Sequence, residues 1–188
     1  MPYPSQFTRE QLIQTARSLF EQHGYEAVSM AQVAGELGIK ASSLYKHVND
    51  KNALLREVNT LTLQELSAAL QAAVQAESTP YQKCLVMGQV YWSFALAHPT
   101  TYELAFMRQY NATLNSQVND EVSLPLQDVF ASLIGEEAAL PALRGAWAIL
   151  HGYVSLRLGE HFRRTGDPYY ERAWQAYLAG WGITADTE

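Results

Sequence analysis

Apolar residues recur every three to four positions along most of this chain, separated by short polar or Gly- and Pro-containing breaks. That rhythm predicts helices almost throughout. The first helix is expected from about Thr8 to His23, with Ile13, Ala16, Leu19 and Phe20 as its apolar stripe. Thr8 with Gln11 reads as a capping box, Phe7 with Leu12 fits a hydrophobic staple, and Gly24 ends the helix. Tyr25 and Val28 are expected to be buried in the connection to the next helix. Ser29 with Gln32 is a second capping box and opens a helix ending at Gly38. A third helix is expected over about Ala41 to His47. Asn49 or Asp50 then caps a long fourth one, with apolar positions Leu54, Val58, Leu61, Leu66, Leu70 and Ala73.

Beyond it, Thr79-Pro80 is a cap followed by proline at the first helical position, and the fifth helix runs to about His98, where Pro99 interrupts it. A short helix from Thr100 to about Arg108 comes next, then a polar loop over Tyr110 to Asn119. Further helices are expected from about Asp120, or nearer Leu124 because of Pro125, to Leu133, and from about Glu137 to Arg164. Gly166 stops the latter, and Asp167-Pro168 opens a last helix ending near Gly182. The scarcity of β-branched runs agrees with an all-α fold of about nine helices.

The segment from Ser29 to Leu55 is two short helices on a tight glycine turn followed by the start of another, a geometry that presents one helix to the major groove of DNA. Ala34 sits where the two helices would cross, and Gly38 supplies the positive φ of the turn. Val33, Leu37, Ile39, Leu44 and Val48 would hold the pair onto the first helix, leaving Lys40, Ala41 and Ser42, with Ser43 behind them, on the leading end of the second. Lys40 can donate to guanine, Ser42 can donate or accept, and Ala41 could touch a thymine methyl. Ser29 and Lys51 stand at helix starts, where free N–H groups attract phosphate, and Lys46 adds charge. Tyr45 and His47 can donate to phosphate oxygens, although Tyr45 reads equally well as a half-buried packing residue.

The 188 residues carry a net charge of −6, at first sight unsuited to binding a polyanion. Through residue 60, six bases (Arg9, Arg17, Lys40, Lys46, Lys51 and Arg56) meet six acids (Glu10, Glu21, Glu26, Glu36, Asp50 and Glu57), so the negative charge belongs wholly to the remainder. Between 40 and 51, three lysines face only Asp50, and screening makes this local sign decisive over distances of about 8 Å. Hydrophobic residues at 48% allow a real core. A stretch with a basic flank and an apolar run at the N-terminus is absent, as is any apolar run near the roughly 20 residues that span a bilayer. With a single cysteine, Cys84, the expectation is a cytoplasmic protein with no membrane contact.

Residues 8 to 57 resemble the N-terminal domain of TetR-type transcriptional repressors. The resemblance rests on Phe20, Gly24, Tyr25, Ser29, Ala34, Gly38, Ile39, Ser43-Leu44-Tyr45, and Lys51 with Leu54-Leu55. The family commonly has Phe where this chain has Val48. The resemblance implies a DNA-binding domain over residues 1–57 and an effector-binding and dimerisation domain over 58–188. It further implies a homodimer, paired through the last two helices as a four-helix bundle, that binds a palindromic double-stranded operator and releases it when a small molecule enters the C-terminal domain. Trp147 to Leu156, with His151-Gly152 at its centre, and His98-Pro99 to Phe106 resemble a C-terminal domain type in this family named for a Trp-His-Gly signature.

In the C-terminal part, Gly145, Gly152 and Gly159 fall seven apart on one predicted helix and so share a face. Such a stripe marks close approach either of another helix of the chain or of a ligand. Tyr170, Trp174, Tyr177, Leu178 and Trp181 give the last helix a broad aromatic face, suited either to an interface or to the chain's own core. A pocket for an apolar or aromatic effector is expected among Tyr91, Trp92, Phe106, Met107, Tyr110, Phe130, Trp147 and His151, each of which also reads as plain core.

Signatures of catalysis are missing. The five histidines form no i, i+4 pair and one cysteine cannot build a zinc site, so no metal and no cofactor is expected. Neither a phosphate-binding glycine loop nor a Gly-x-Ser-x-Gly elbow is present. Cys84 reads as a small buried hydrophobe. Two weaker readings stand beside the DNA-binding one: a helical ligand-binding adaptor with a degenerate DNA module, and a small-molecule enzyme using His151.

Overall fold

The computed structural model describes residues 7–106, 123, 126–162 and 169–186, and all regular structure among them is helical. The elements are α1 (Arg9–His23), α2 (Met30–Glu36), α3 (Ala41–Leu44), α4 (Lys51–Ala76), α5 (Pro80–Ala97), α6 (Pro99–Phe106), α7 (126–134), α8 (Glu136–Leu158) and α9 (Tyr169–Gly180). They fall into two compact units. The first takes the described residues of Met1–Leu63 and His98–Ser116, the second those of Gln64–Ala97 and Gln117–Glu188. The chain passes between them inside α4, and α6 belongs to the first unit.

The first unit is built around Leu12, Ala16, Phe20, Val33, Ala34, Leu44, Leu54 and Val58, with Leu104 of α6 in the same core. Both expected capping boxes form: Thr8 Oγ1 accepts from Gln11 N at 3.1 Å, and Ser29 Oγ accepts from Gln32 N at 3.3 Å. Asp50 caps α4, accepting from Ala53 N at 2.7 Å. A third box, Thr79 with Gln82, opens α5 (Gln82 N to Thr79 Oγ1, 3.2 Å). On α4 the buried line runs through Leu63, Leu66, Leu70 and Val74. Leu61 and Ala73, expected there, are half-buried, because the line drifts around the helix as 3.6-residue turns accumulate.

The second unit packs α5 against α8 and α9. Tyr170, Trp174 and Leu178 all point into the chain's own core, so this part of the aromatic face of α9 is intramolecular. The glycine stripe on α8 also resolves differently along its length. A Cβ at Gly145 would meet the Tyr177 hydroxyl, Gly152 has nothing within 4 Å, and Gly159 is the C-cap. The helix therefore ends at Leu158, short of the expected Arg164, which lies outside the described residues. His161 N donates to Leu156 O (2.9 Å) and Glu160 N to Arg157 O (3.2 Å), a Schellman closure with Glu160 at φ 58. At Gly88 on α5 a Cβ would lie 2.5 Å from Nε1 and 2.6 Å from Cδ1 of Trp174. The expected loop over 110–119 and the helix starts near 120 and 167 lie outside the described residues.

Candidate nucleic-acid interface

The turn between α2 and α3 is closed by Gly38 N donating to Gly35 O (3.0 Å) and Ile39 N to Ala34 O (2.9 Å), with Gly38 at φ 68. A Cβ-bearing residue is disfavoured in that conformation, which is why a glycine stands there. Ala34 is buried at the crossing, and Leu37 and Ile39 pack partly buried against the core. Helix α3 is shorter than expected, four residues rather than seven. After Leu44 the backbone tightens, with Lys46 N bonded to Ser43 O and His47 N to Leu44 O, before Val48 N returns to Leu44 O. Leu44 and Val48 are the buried anchors of this segment.

This anchoring sorts the nine expected contact residues. Lys40, Ser42, Tyr45 and Lys46 are exposed, and Tyr45, at 50% exposure, is a large hydrophobic residue left on the surface. Ala41 and Ser43 are half-buried, and Ala41 packs on the core. The ring of His47 sits edge-on to Phe7 with centroids 4.7 Å apart, so packing fixes it. The Ser29 hydroxyl is engaged with Gln32 at the head of α2. Lys51 Nζ donates to Glu26 O at 3.0 Å, which uses one of its three donors and holds the ammonium near the start of α4. The exposed side of the helix-turn-helix thus offers two lysines, a serine hydroxyl and a tyrosine, donors suited to base edges and phosphate oxygens.

Two ties hold α1 that sequence reading missed. Arg9 makes a two-pronged pair with Glu57 of α4, its Nε donating to Oε2 at 2.9 Å and its Nη2 to Oε1. The hydrogen bond to Glu57, and then its charge, raise the Arg9 pKa further. At the other end, the Glu21 carboxylate accepts from Thr100 N (3.1 Å), Thr101 N (3.0 Å) and Thr101 Oγ1 (2.6 Å) at the start of α6. The partners are 48 and about 80 positions apart in sequence, beyond any local signal.

The effector-pocket candidates are dispersed. Phe106 lies in the first unit, 4.7 Å from Tyr102 between ring centroids. In the second unit Tyr91 lies 5.3 Å from Trp147, and Trp92 stacks on Tyr170 at 4.3 Å. Phe130 is fully buried, and His151 is half-buried with its pKa lowered by desolvation. Met107 and Tyr110 lie outside the described residues. Among the described residues there is no cluster of three metal-ligating side chains and no helix long and apolar enough to cross a membrane. Cys84 is buried, and burial pushes its thiol up to about 12.

Comparison with known proteins agrees with this geometry. Residues 12–58 match the family described as "Bacterial regulatory proteins, tetR family", and residues 84–180 match "Tetracyclin repressor-like, C-terminal domain". An uncharacterized HTH-type transcriptional regulator of Mycobacterium tuberculosis, Rv0681, is 30% identical over 165 residues, covering 82% of this chain and 72% of its own. The uncharacterized HTH-type regulator YobS of Bacillus subtilis is 27% identical, covering 85% and 84%. A solved protein of unknown function from Rhodococcus sp. RHA1 superimposes with a TM-score of 0.79 at 27% identity, covering 97% of this chain and 98% of that one.

Proposed function

The chain belongs to the TetR family of DNA-binding transcriptional regulators, which are not enzymes, and from that premise we propose that it is a ligand-released repressor acting as a homodimer on a palindromic operator in the cytoplasm. The observation that carries this reading is the outward set Lys40, Ser42, Tyr45 and Lys46, on a segment whose opposite side is fixed by buried Leu44 and Val48. Lys40 and Ser42 read base edges, while Tyr45, Lys46 and Lys51 hold phosphates, with Ser29, Ala41, Ser43 and His47 shaping the surface around them. Residues 1–57 form the DNA-binding domain, and 58–188 bind the effector and the second copy.

Copies pair through α8 and α9. With Tyr170, Trp174 and Leu178 committed to the chain's own core, the pairing surface is the outward side, where Leu140 and Leu156 of α8 are exposed. The effector is apolar or aromatic and contacts Tyr91, Trp92, Phe130, Trp147 and His151 of the second unit. His151 is held toward the neutral form by its burial in this part of the second unit. Ligand binding favours the state that does not fit DNA, so repression is relieved by a shift of populations.

Selection of binding sites from random duplex DNA with the full chain tests the reading. The expected outcome is an inverted repeat whose half-sites are centred roughly 34–36 Å apart, one turn of the duplex. Recovery of no site, or of a site without internal symmetry, refutes the homodimeric operator.

A further inference from the structure

We infer that Glu21 is a positioning residue for the DNA-reading head: it supplies the N-terminal cap of α6 from α1 and so ties α1 to the element next after α5 in the chain. This rests on the DNA-binding reading proposed above.

A helix start leaves backbone N–H groups without intrahelical acceptors, and they are ordinarily met by a side chain at the cap position. In α6 the first residue, Pro99, has no N–H to satisfy. The next two amides, Thr100 and Thr101, both donate to Glu21, at 3.1 and 3.0 Å, and the Thr101 hydroxyl adds a bond of 2.6 Å to the same carboxylate. Thr101 is fully buried and Glu21 half-buried. Three donors on one carboxylate, with that charge at the positive end of a helix, make a strong and directional contact. It is more than packing, because a carboxylate one or two ångströms out of place loses all three bonds together.

The placement of the tie gives it a role beyond cohesion. Glu21 lies three residues before Gly24, near the end of α1, and α1 packs against α2 of the helix-turn-helix. One residue, His98, separates the last residue of α5 in the second unit from Pro99. Within the first unit, any movement of the first turn of α6 is felt by α1 through Glu21. By linkage, an event that breaks the cap weakens the state it supports, and DNA bound to the head strengthens the cap in return.

Amide hydrogen exchange and duplex affinity on the full-length chain test this, using a duplex recovered by selection with the wild type. Glu21→Gln keeps the shape and removes the charge, Thr101→Val removes only the hydroxyl, and Thr101→Ser keeps it. In the free protein, Glu21→Gln is expected to speed exchange at Thr100 and Thr101 about tenfold or more and to leave α8 and α9 unchanged. Its affinity for the duplex is expected to fall about fivefold or more, with Thr101→Val falling likewise and Thr101→Ser close to wild type. The double variant is expected to be little worse than either single one, because both act on one contact. Bound duplex slows exchange at Thr100 and Thr101 in the wild type and not in Glu21→Gln. Unchanged exchange at these amides in Glu21→Gln overturns the cap. Faster exchange with unchanged affinity, or equal duplex-induced protection in both proteins, overturns the positioning role. If the wild type selects no duplex, the DNA-binding reading fails and takes the positioning role with it, while the exchange comparison in the free protein still decides the cap.

Discussion

Gly88→Ala adds one carbon at a crowded glycine, and the contacts around it set the cost. The new Cβ would lie 2.5 Å from Nε1, 2.6 Å from Cδ1 and 3.0 Å from Cε2 of Trp174. That indole is buried and lies across the glycine so that its Nε1 donates to Cys84 O at 2.9 Å, one turn earlier on α5. The neighbouring Tyr170 hydroxyl donates to the carbonyl of Gly88 itself at 2.6 Å, so the helix cannot simply roll away. Forcing the ring outward costs about 1–3 kcal/mol in overpacking. Leaving its N–H buried without an acceptor costs about 1–3 kcal/mol more. Alanine returns about 1 kcal/mol of helix propensity, for a net loss of about 3 kcal/mol. For a chain of this length that is a fall in Tm of about 6–12 °C. Gly35→Ala is the matched control. Gly35 is exposed in α2 with nothing within 4 Å of its would-be Cβ, so the same substitution there is expected to stabilise by about 0.5–1 kcal/mol. Thermal and urea unfolding followed by circular dichroism measure both. A Gly88→Ala protein as stable as wild type, or one whose loss persists undiminished in a Trp174→Leu background, refutes the reasoning.

Three further outcomes are expected. Lys40→Ala relaxes base preference by about 1–3 kcal/mol of discrimination, whereas Lys51→Ala weakens all duplexes alike and lowers the salt slope by about 1; binding titrations across a salt series distinguish these, and equal slopes for wild type and Lys51→Ala speak against the phosphate role. Cys84 is fully buried and burial pushes its thiol up to about 12, so native protein is expected to react with a thiol reagent at pH 8 at least about tenfold more slowly than denatured protein. Since burial lowers the His151 pKa, the unfolded imidazole takes up a proton first; stability is full above about pH 6.5 and falls as pH drops below it, and urea midpoints at pH 7.5 and 5.5 should show less of that fall in His151→Gln.

The reading head was legible because its determinants are local. Each capping box spans four residues, the interhelical turn needs one glycine at positive φ, and the anchors Val33, Leu44 and Val48 lie within sixteen positions. Periodicity found Ala16 and Phe20 on α1 and most of the buried positions of α4, but it put Ile13 and Leu19 in the stripe where they are half-buried, and it did not show which partner each face meets. It placed Gly145, Gly152 and Gly159 on a shared stripe, yet only the first is approached by another helix, and the third ends α8 instead of continuing it. It offered the aromatic residues of α9 both to a second copy and to the core, and the choice of core for Trp174 depends on Gly88 and Cys84, 86 and 90 positions away. Gly88 itself carried no signal, since a single glycine in a helical run looks like a minor propensity defect. Arg9–Glu57 and Glu21–Thr101 were invisible for the same reason: a surface charge declares its partner only after the chain has folded.

These long-range ties matter because α3 cannot specify its own direction. Four helical residues are far below the length at which an isolated helix is stable in water, so the segment holds its shape only through contacts with the core. Leu44 and Val48 supply them, and they rest on a core that α1 shares through Leu12, Ala16 and Phe20. The direction in which Lys40 and Ser42 point is then inherited from α1. That helix is fixed near its start by Glu57 of α4 and near its end by the amides of α6. Base readout needs placement within a fraction of an ångström of the groove edge, whereas phosphate contacts tolerate more play. Loosening either end of α1 should therefore cost affinity for the selected duplex before it costs affinity for unrelated DNA. That ordering separates a head held from outside by α1 from one that owes its precision to the recognition segment alone.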